Sequence, residues 1–164
     1  MRKKGQLEVS FGMVFSIILI IVFVAFAVFV AVKIFLPAKC VTTGLFKTDL
    51  QESVDRAWNS EQSSFEIELS LPGEVKKICF IDFNKTHKGA FREEYEAISK
   101  FDYKDWNLLF YPTNSACSEQ SGIAIKHIDI SAITKNSNPY CITNIKGKIK
   151  IKIDGYYGKL VKLS

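Results

Sequence analysis

Four cysteines are the residues of this chain whose spacing says most about its chemistry. Successive cysteines are 39, 38 and 24 residues apart, so the sequence holds no C-x-x-C pair of the kind that zinc sites usually need. The two histidines, His87 and His127, fall in no metal-ligand pattern. An even number of cysteines in an exported domain predicts up to two disulfides, with three possible connectivities, unless some of the thiols are simply small buried apolar groups. The cysteines are Cys40, Cys79, Cys117 and Cys141.

The acidic stretch over residues 92–96 holds the carboxylates best suited to acid–base catalysis. Adjacent residues of a helix point in different directions, however, so a solvated helix face is the favoured interpretation of this stretch. The chain has no nucleophile elbow, phosphate-binding loop, H-E-x-x-H sequence or dinucleotide fingerprint. We therefore expect that the protein is not an enzyme and that it has no cofactor and no metal site.

Lysines at every second position form a basic stripe near the end of the chain. Strand alternation would place them on one face, where they could bind acidic polysaccharide, nucleic acid or lipid headgroups. The alternative, which we favour, is that they lie on an exposed sheet face or edge and block association between sheets. Residues from Ala38 onward carry a net charge of only +2, so we expect no nucleic-acid partner. The stripe consists of Lys146, Lys148, Lys150 and Lys152.

One glycosylation sequon is present, at Asn84 within Asn-Lys-Thr. Its place in a polar stretch predicts a loop, and on an exported domain it would be a candidate glycan site.

A long apolar run over residues 11–36 precedes the part of the chain that holds these cysteines, lysines and acidic residues. Its only charge is Lys33, and as a helix its 26 residues would span roughly 39 Å, more than the hydrocarbon core of a bilayer. A secretory signal has a shorter apolar segment and a small-residue cleavage site, which is missing here. The run therefore predicts a retained membrane helix, which Pro37 should stop or kink.

Charge predicts the orientation of this helix. Arg2, Lys3 and Lys4 precede it, against Glu8 alone, whereas basic and acidic residues nearly balance beyond it. An excess of lysine and arginine marks the cytoplasmic side. We expect a single-pass protein of the cytoplasmic membrane with its N-terminus inside and its C-terminal body outside.

The body after the helix predicts one α+β domain. Residues 38–63 are expected to form a helical linker region, with an amphipathic helix that begins after Gly44 and ends near Asn59. Residues 64–164 predict an antiparallel sheet of five or six strands and a second short amphipathic helix around Tyr95. The expected strands include a hairpin across Pro72-Gly73, the segments 105–112 and 122–133, and a terminal hairpin that turns at residues 154–155 or 156–158.

The first residues, RKKGQLEVSFGMV, resemble the class III signal peptide of archaeal type IV pilin-like proteins. The resemblance covers about residues 1–36. It implies that a prepilin-type peptidase removes residues 1–5, that Gly5 ends the leader and Gln6 begins the mature chain, and that the helix over residues 6–37 is retained. Glu8 and Ser10 stand in the reverse of the family's usual order. Glu8 is therefore a candidate for the charge that pairs with a neighbour's amino terminus, in a different register.

Two functions follow from these observations. The first is a pilin-like surface protein, a structural or minor subunit of a type IV pilus-like filament, whose partners are membrane lipid, further copies of itself or other pilin-like subunits, and the processing peptidase. The second is an unprocessed, single-pass anchored module that binds a ligand outside the membrane and does not polymerise.

Overall fold

The computed structural model of the chain describes residues 11–100, 105–117 and 121–164. The positions Gly5, Gln6 and Glu8 lie outside these ranges. The described chain is α+β, with an N-terminal apolar helix and antiparallel sheets, which confirms the predicted fold class to that extent. It divides into two compact units, Met1–Ala38 and Lys39–Ser164. We call the second unit the head.

The described residues form three helices and seven strands, and the strands lie in two sheets, so the predicted single sheet of five or six strands is wrong. The helices are α1 (Phe11–Trp58), α2 (Arg92–Ile98) and α3 (Ile130–Ile133). The strands are β1 (Gln62–Ser70), β2 (Lys77–Phe80), β3 (Leu108–Tyr111), β4 (Gly122–Ile123), β5 (Tyr140–Thr143), β6 (Lys148–Tyr156) and β7 (Lys162–Leu163).

Helix α1 is longer than the sequence pattern predicts. It ends near the predicted residue, at Trp58, but its backbone is helical through both Pro37 and Gly44, so the predicted stop at Pro37 and the predicted helix start after Gly44 are wrong. A proline removes only its own N–H from the hydrogen-bond ladder, and the turns on either side can persist. Gly44 costs helix propensity, but the buried Thr43 and Phe46 hold the turn around it in place.

The predicted linker region contributes directly to the core of the head. Phe46, Leu50, Val54 and Ala57 recur at three- to four-residue intervals along α1, and each is at most 1% exposed. They pack with the apolar faces of both sheets, and the Phe46 ring meets the Phe110 ring edge-on at 5.9 Å. This part of α1 is therefore a core element of the head.

The first sheet has the strand order β1–β6–β7, and its alternation follows the sequence pattern. Ile149, Ile151 and Ile153 of β6 are buried, while the lysines between them face solvent. The terminal hairpin is confirmed, with its turn at residues 157–159, after β6 ends at Tyr156.

The second sheet has the order β4–β3–β2–β5, so the predicted hairpin between β1 and β2 is wrong. Strand β2 is apolar on both faces: Ile78, Cys79 and Phe80 are all buried. Such a strand needs cover on both sides, and it lies between β3 and β5, with the main core on one face and α2 with Ile98 on the other. Strand β1, by contrast, has one partly buried and one solvent-exposed face. It pairs with β6, which has the same alternation.

The predicted strand over residues 122–133 is only partly present. Its extended part is limited to Gly122–Ile123, and Ile130–Ile133 is helical. His127 adopts a positive φ of 64°, which ends the extended run, and Asp129 caps α3 by accepting a hydrogen bond from the Ala132 N–H (2.9 Å).

Candidate anchoring helix and surfaces of the head

The first unit presents an apolar helical surface. The segment Gly12–Ala31 has a mean hydropathy of 3.3 and no buried residue. At 1.5 Å per residue its 20 residues measure about 30 Å, the thickness of a bilayer's hydrocarbon core. Among the described residues it is the one helix long and apolar enough to cross a membrane.

The polar groups of this segment are satisfied within the helix. Ser16 is its hydroxyl-bearing residue, and the Ser16 hydroxyl donates to the Gly12 carbonyl oxygen at 2.8 Å. Large side chains such as Phe23 (69% exposed) point outward. A helix that is apolar on all sides and exposed along its length requires an apolar environment, either lipid or other apolar helices.

Both predicted disulfides are present in the head, and their connectivity, which the sequence leaves open, is Cys40–Cys117 and Cys79–Cys141. Cys79 and Cys141 are directly opposite in the β2–β5 pair, with Cα atoms 4.0 Å apart. Cys40 belongs to α1 and Cys117 to the loop after β3, with Cα atoms 4.9 Å apart. The Cys40–Cys117 disulfide therefore joins the part of α1 that belongs to the head to the loop after β3.

Lysines of the stripe form ion pairs with acidic residues on the neighbouring strand. The alternation of residues within β6 alone could not predict these pairs. Lys148 forms an ion pair with Glu68, and Lys150 lies 3.7 Å from Glu66 on the neighbouring strand β1. The hydrogen bond from Lys148 lowers the pKa of Glu68. Lys146 lies in the turn before β6, with a φ of 54°, so the prediction that it shares a strand face with the other three lysines is wrong.

The position of β6 also corrects the edge interpretation of these lysines. Strand β6 is the middle strand of its sheet, so its lysines do not protect an edge. They lie on the exposed face of the sheet. Lys148 and Lys150 pair there with glutamates of β1, and these pairs offset part of the positive charge of that face.

The carboxylates of residues 92–96 diverge in the structure. Glu96 pairs with Arg92 at 2.8 Å, which lowers the pKa of Glu96, whereas Glu94 is buried and pairs with Lys77 of β2. Glu93 is exposed. Within residues 11–100, 105–117 and 121–164, no group of three His, Cys, Asp or Glu side chains could hold a metal ion.

The sequon at Asn84 lies in a turn. Asn84 is exposed, and its N–H donates to the buried Asp82 carboxylate at 3.1 Å. Burial raises the pKa of Asp82, but the hydrogen bonds from Lys85 and Asn84 outweigh it, and the net pKa lies below the usual value. The Asn138 side-chain amide donates to the carbonyls of Asp82, Lys85 and Thr86, so the backbone beneath Asn84 is fixed and its side chain is accessible.

A cluster of side-chain contacts joins α1 to the loop before α3. Gln51 accepts from the Lys126 N–H (2.9 Å), and Asp55 accepts from His127 Nδ1 (2.8 Å). The His127 ring stacks on Trp58. Because the partners are more than 65 residues apart, no local pattern in the sequence could indicate this contact.

Comparisons with protein-family models, with curated proteins and with solved structures gave no significant match.

Proposed function

We propose that this chain is a pilin-like, membrane-anchored surface protein, a structural or minor subunit of a type IV pilus-like filament. The observation that carries the proposal is helix α1. Its segment Gly12–Ala31 is exposed, uncharged and strongly apolar, and its later turns contribute buried side chains to a head that holds two disulfides. One helix thus combines an anchoring segment with a core element of the head.

The exposed segment supports both anchoring and assembly. Lipid tails and neighbouring apolar helices are equally suitable partners for it, because association in an apolar environment depends on close packing. A subunit could therefore be stored in the membrane and then packed against other copies without a change in its helix.

The disulfides support a head outside the cytoplasm. Disulfides persist in oxidising compartments and are rare in the cytosol. Together with the basic residues Arg2, Lys3 and Lys4, they favour an N-terminus inside and a head outside.

Processing at Gly5 is the step that would commit the protein to assembly. A peptidase that cuts between Gly5 and Gln6 would leave the apolar helix in place and create a new amino terminus next to it. In this proposal Glu8 pairs with the amino terminus of a neighbour, where a low dielectric strengthens the attraction.

The test is the intact mass of the protein from its native membrane together with electron microscopy of sheared surface material. We expect a chain that starts at Gln6 and its presence in filaments. Gly5→Leu should block the cut, because a pocket that fits glycine has no room for a side chain, and should exclude the protein from filaments while leaving it inserted. Glu8→Gln should leave the cut intact but impair assembly.

The matched control is Glu52→Gln, which removes an exposed charge of the head and should change neither cleavage nor assembly. A native chain that begins at Met1 or Arg2 and occurs only in membranes would overturn the filament function and favour the unprocessed anchored module.

A further inference from the structure

The two edges of the first sheet differ in how they are covered. At the β7 edge, the Val161 N–H donates to the His127 carbonyl and the Val161 carbonyl accepts from the Asp129 N–H, both at 2.8 Å. Backbone from the loop before α3 therefore closes that edge. Strand β1, at the other edge, has nine residues, and within the described chain it pairs with β6 alone.

The hydrogen-bond register identifies which backbone groups of β1 are open. Antiparallel neighbours exchange hydrogen bonds at every second residue pair. Leu71 N–H donates to the Gly147 carbonyl beyond one end of β1, and Tyr157 N–H donates to the Glu61 carbonyl beyond the other, each at 2.9 Å. Odd-numbered residues of β1 thus face β6, and even-numbered residues direct their N–H and C=O groups outward. No described residue bonds the backbone groups of these outward residues, which are Gln62, Ser64, Glu66, Glu68 and Ser70.

This edge lacks three of the features that commonly protect an edge strand against pairing: lysine, proline and a bulge. Its sequence has no proline and no lysine, and its register has no bulge. On the inner face, Phe65 and Ile67 remain partly exposed, although their cross-strand partners Ile153 and Ile151 are completely buried. The apolar layer is therefore incomplete on the outer side of β1.

We propose that the open edge of β1 binds an extended segment of another protein, in which lysine alternates with an apolar residue, as an added strand. The backbone groups specify a strand, and the side chains of β1 specify its pattern. Strand β6 shows that pattern on the other side of β1: its lysines pair with Glu66 and Glu68, and its isoleucines lie beside Phe65 and Ile67. A carboxylate can accept from a second lysine. The proposal is independent of whether the anchoring helix polymerises.

A second copy of β1 fits the edge less well than a basic segment. Antiparallel pairing of the whole strand with itself would put Glu66 directly opposite Glu66 of the second copy. Like charges in that position are destabilising, whereas a lysine there would be attracted.

The test uses the full chain in lipid nanodiscs and, as a probe, an acetylated and amidated Lys-Ile-Lys-Ile-Lys-Ile peptide. In the free protein the amides of Glu66 and Glu68 should exchange rapidly with deuterium, while those of Phe65 and Ile67 should be protected. Saturating peptide should slow exchange at Glu66 and Glu68 by about tenfold or more and leave Phe65 and Ile67 unchanged, because only the outward amides gain partners.

Two controls separate strand addition from simple attraction between charges. A peptide N-methylated at every residue keeps its charge but has no N–H on either edge to form the ladder, so it should give no protection. Glu66→Pro removes an outward N–H that β6 does not use, and it should abolish the peptide effect while Ile67 stays protected. Glu66→Gln should weaken binding and retain the alternating protection.

Three outcomes would overturn the proposal. The first is equal protection by the N-methylated peptide, and the second is slow exchange at Glu66 and Glu68 in the free protein. The third is protection that rises with protein concentration in the absence of peptide, which would assign the edge to a second copy.

Discussion

Trp58 and His127 stack face to face, with ring centroids 3.8 Å apart and ring planes inclined by 5°. His127 also donates from Nδ1 to the Asp55 carboxylate at 2.8 Å, because an ionised carboxylate can only accept. Asp55 and Trp58 are three residues apart on α1 and so lie on one face of the helix. The last turn of α1 thus holds the loop before α3 by a ring contact and a hydrogen bond.

The Asp55–His127 contact predicts acid-sensitive stability. The hydrogen bond from His127 lowers the pKa of Asp55 below its ordinary value of 3.8. The stabilisation is therefore complete above about pH 3.8 and is lost as the pH falls through the lower pKa of the folded state. Asp55→Asn should reduce the free energy of unfolding at pH 7 by up to about 1 kcal/mol, since the pair is partly exposed, and the difference from wild type should shrink at pH 2–3.

Denaturant unfolding of the full chain at pH 7, 5 and 2.5 would measure this difference. Glu52→Gln, an exposed charge change on the same helix, is the matched control and should have little effect at any of these values. A deficit in Asp55→Asn that is as large at pH 2.5 as at pH 7 would contradict the assignment.

Gly155 predicts a steric effect on stability. A Cβ at this position would lie 2.5 Å from the Ala57 carbonyl oxygen and 2.8 Å from Ser63 Oγ. Gly155→Ala should therefore force β6 away from the end of α1 and reduce the free energy of unfolding by about 1–3 kcal/mol. Thermal unfolding of the full chain in detergent would measure it.

Gly44 provides the opposite substitution. It lies in α1, and a Cβ there would meet no atom within 4 Å. Gly44→Ala should stabilise the chain by up to about 1 kcal/mol, because alanine has the higher helix propensity. If Gly155→Ala and Gly44→Ala changed the free energy of unfolding equally, the end of α1 would lie farther from β6 than it does in the structure.

The sequence predicts local elements of this fold better than it predicts their partners. The apolar period of Leu50, Val54 and Ala57 reveals the core face of α1, and the alternation of Ile149, Ile151 and Ile153 reveals β6, because both signals arise from solvent exposure along one element. The β1–β6 pair and the Trp58–His127 stack depend on which distant segments fill the same core. Neighbouring positions in the sequence carry no information about that choice.

The Cys40–Cys117 disulfide predicts where the head can be separated from the anchor. A fragment of residues 39–164 retains both disulfides and the whole core face of α1, so we expect a soluble, folded protein whose four cysteines are alkylated only after reduction. A fragment of residues 44–164 lacks Cys40. It should be less stable by about 2–4 kcal/mol, the usual contribution of a cross-link that closes a long loop.

Non-reducing and reducing mass spectra with denaturant unfolding would compare the two fragments. Cys40→Ser/Cys117→Ser in the longer fragment is the matched control, and it should reproduce the loss of stability without shortening the helix. Four free thiols in the longer fragment, isolated from an oxidising compartment, would contradict both disulfides.

The orientation of the membrane helix predicts which lysines are accessible from outside the cell. Lys150 lies on the exposed face of β6 with 67% of its side chain accessible, and a membrane-impermeant amine reagent should label it in intact cells. Lys3 should escape labelling, because the basic residues before the helix favour the cytoplasm. The experiment needs the Gly5→Leu variant, since removal of residues 1–5 would make Lys3 disappear whatever the orientation. Permeabilised cells are the control, and there both lysines should react. Labelling of Lys3 but not Lys150 in intact cells would reverse the topology and remove the oxidising compartment that the two disulfides require.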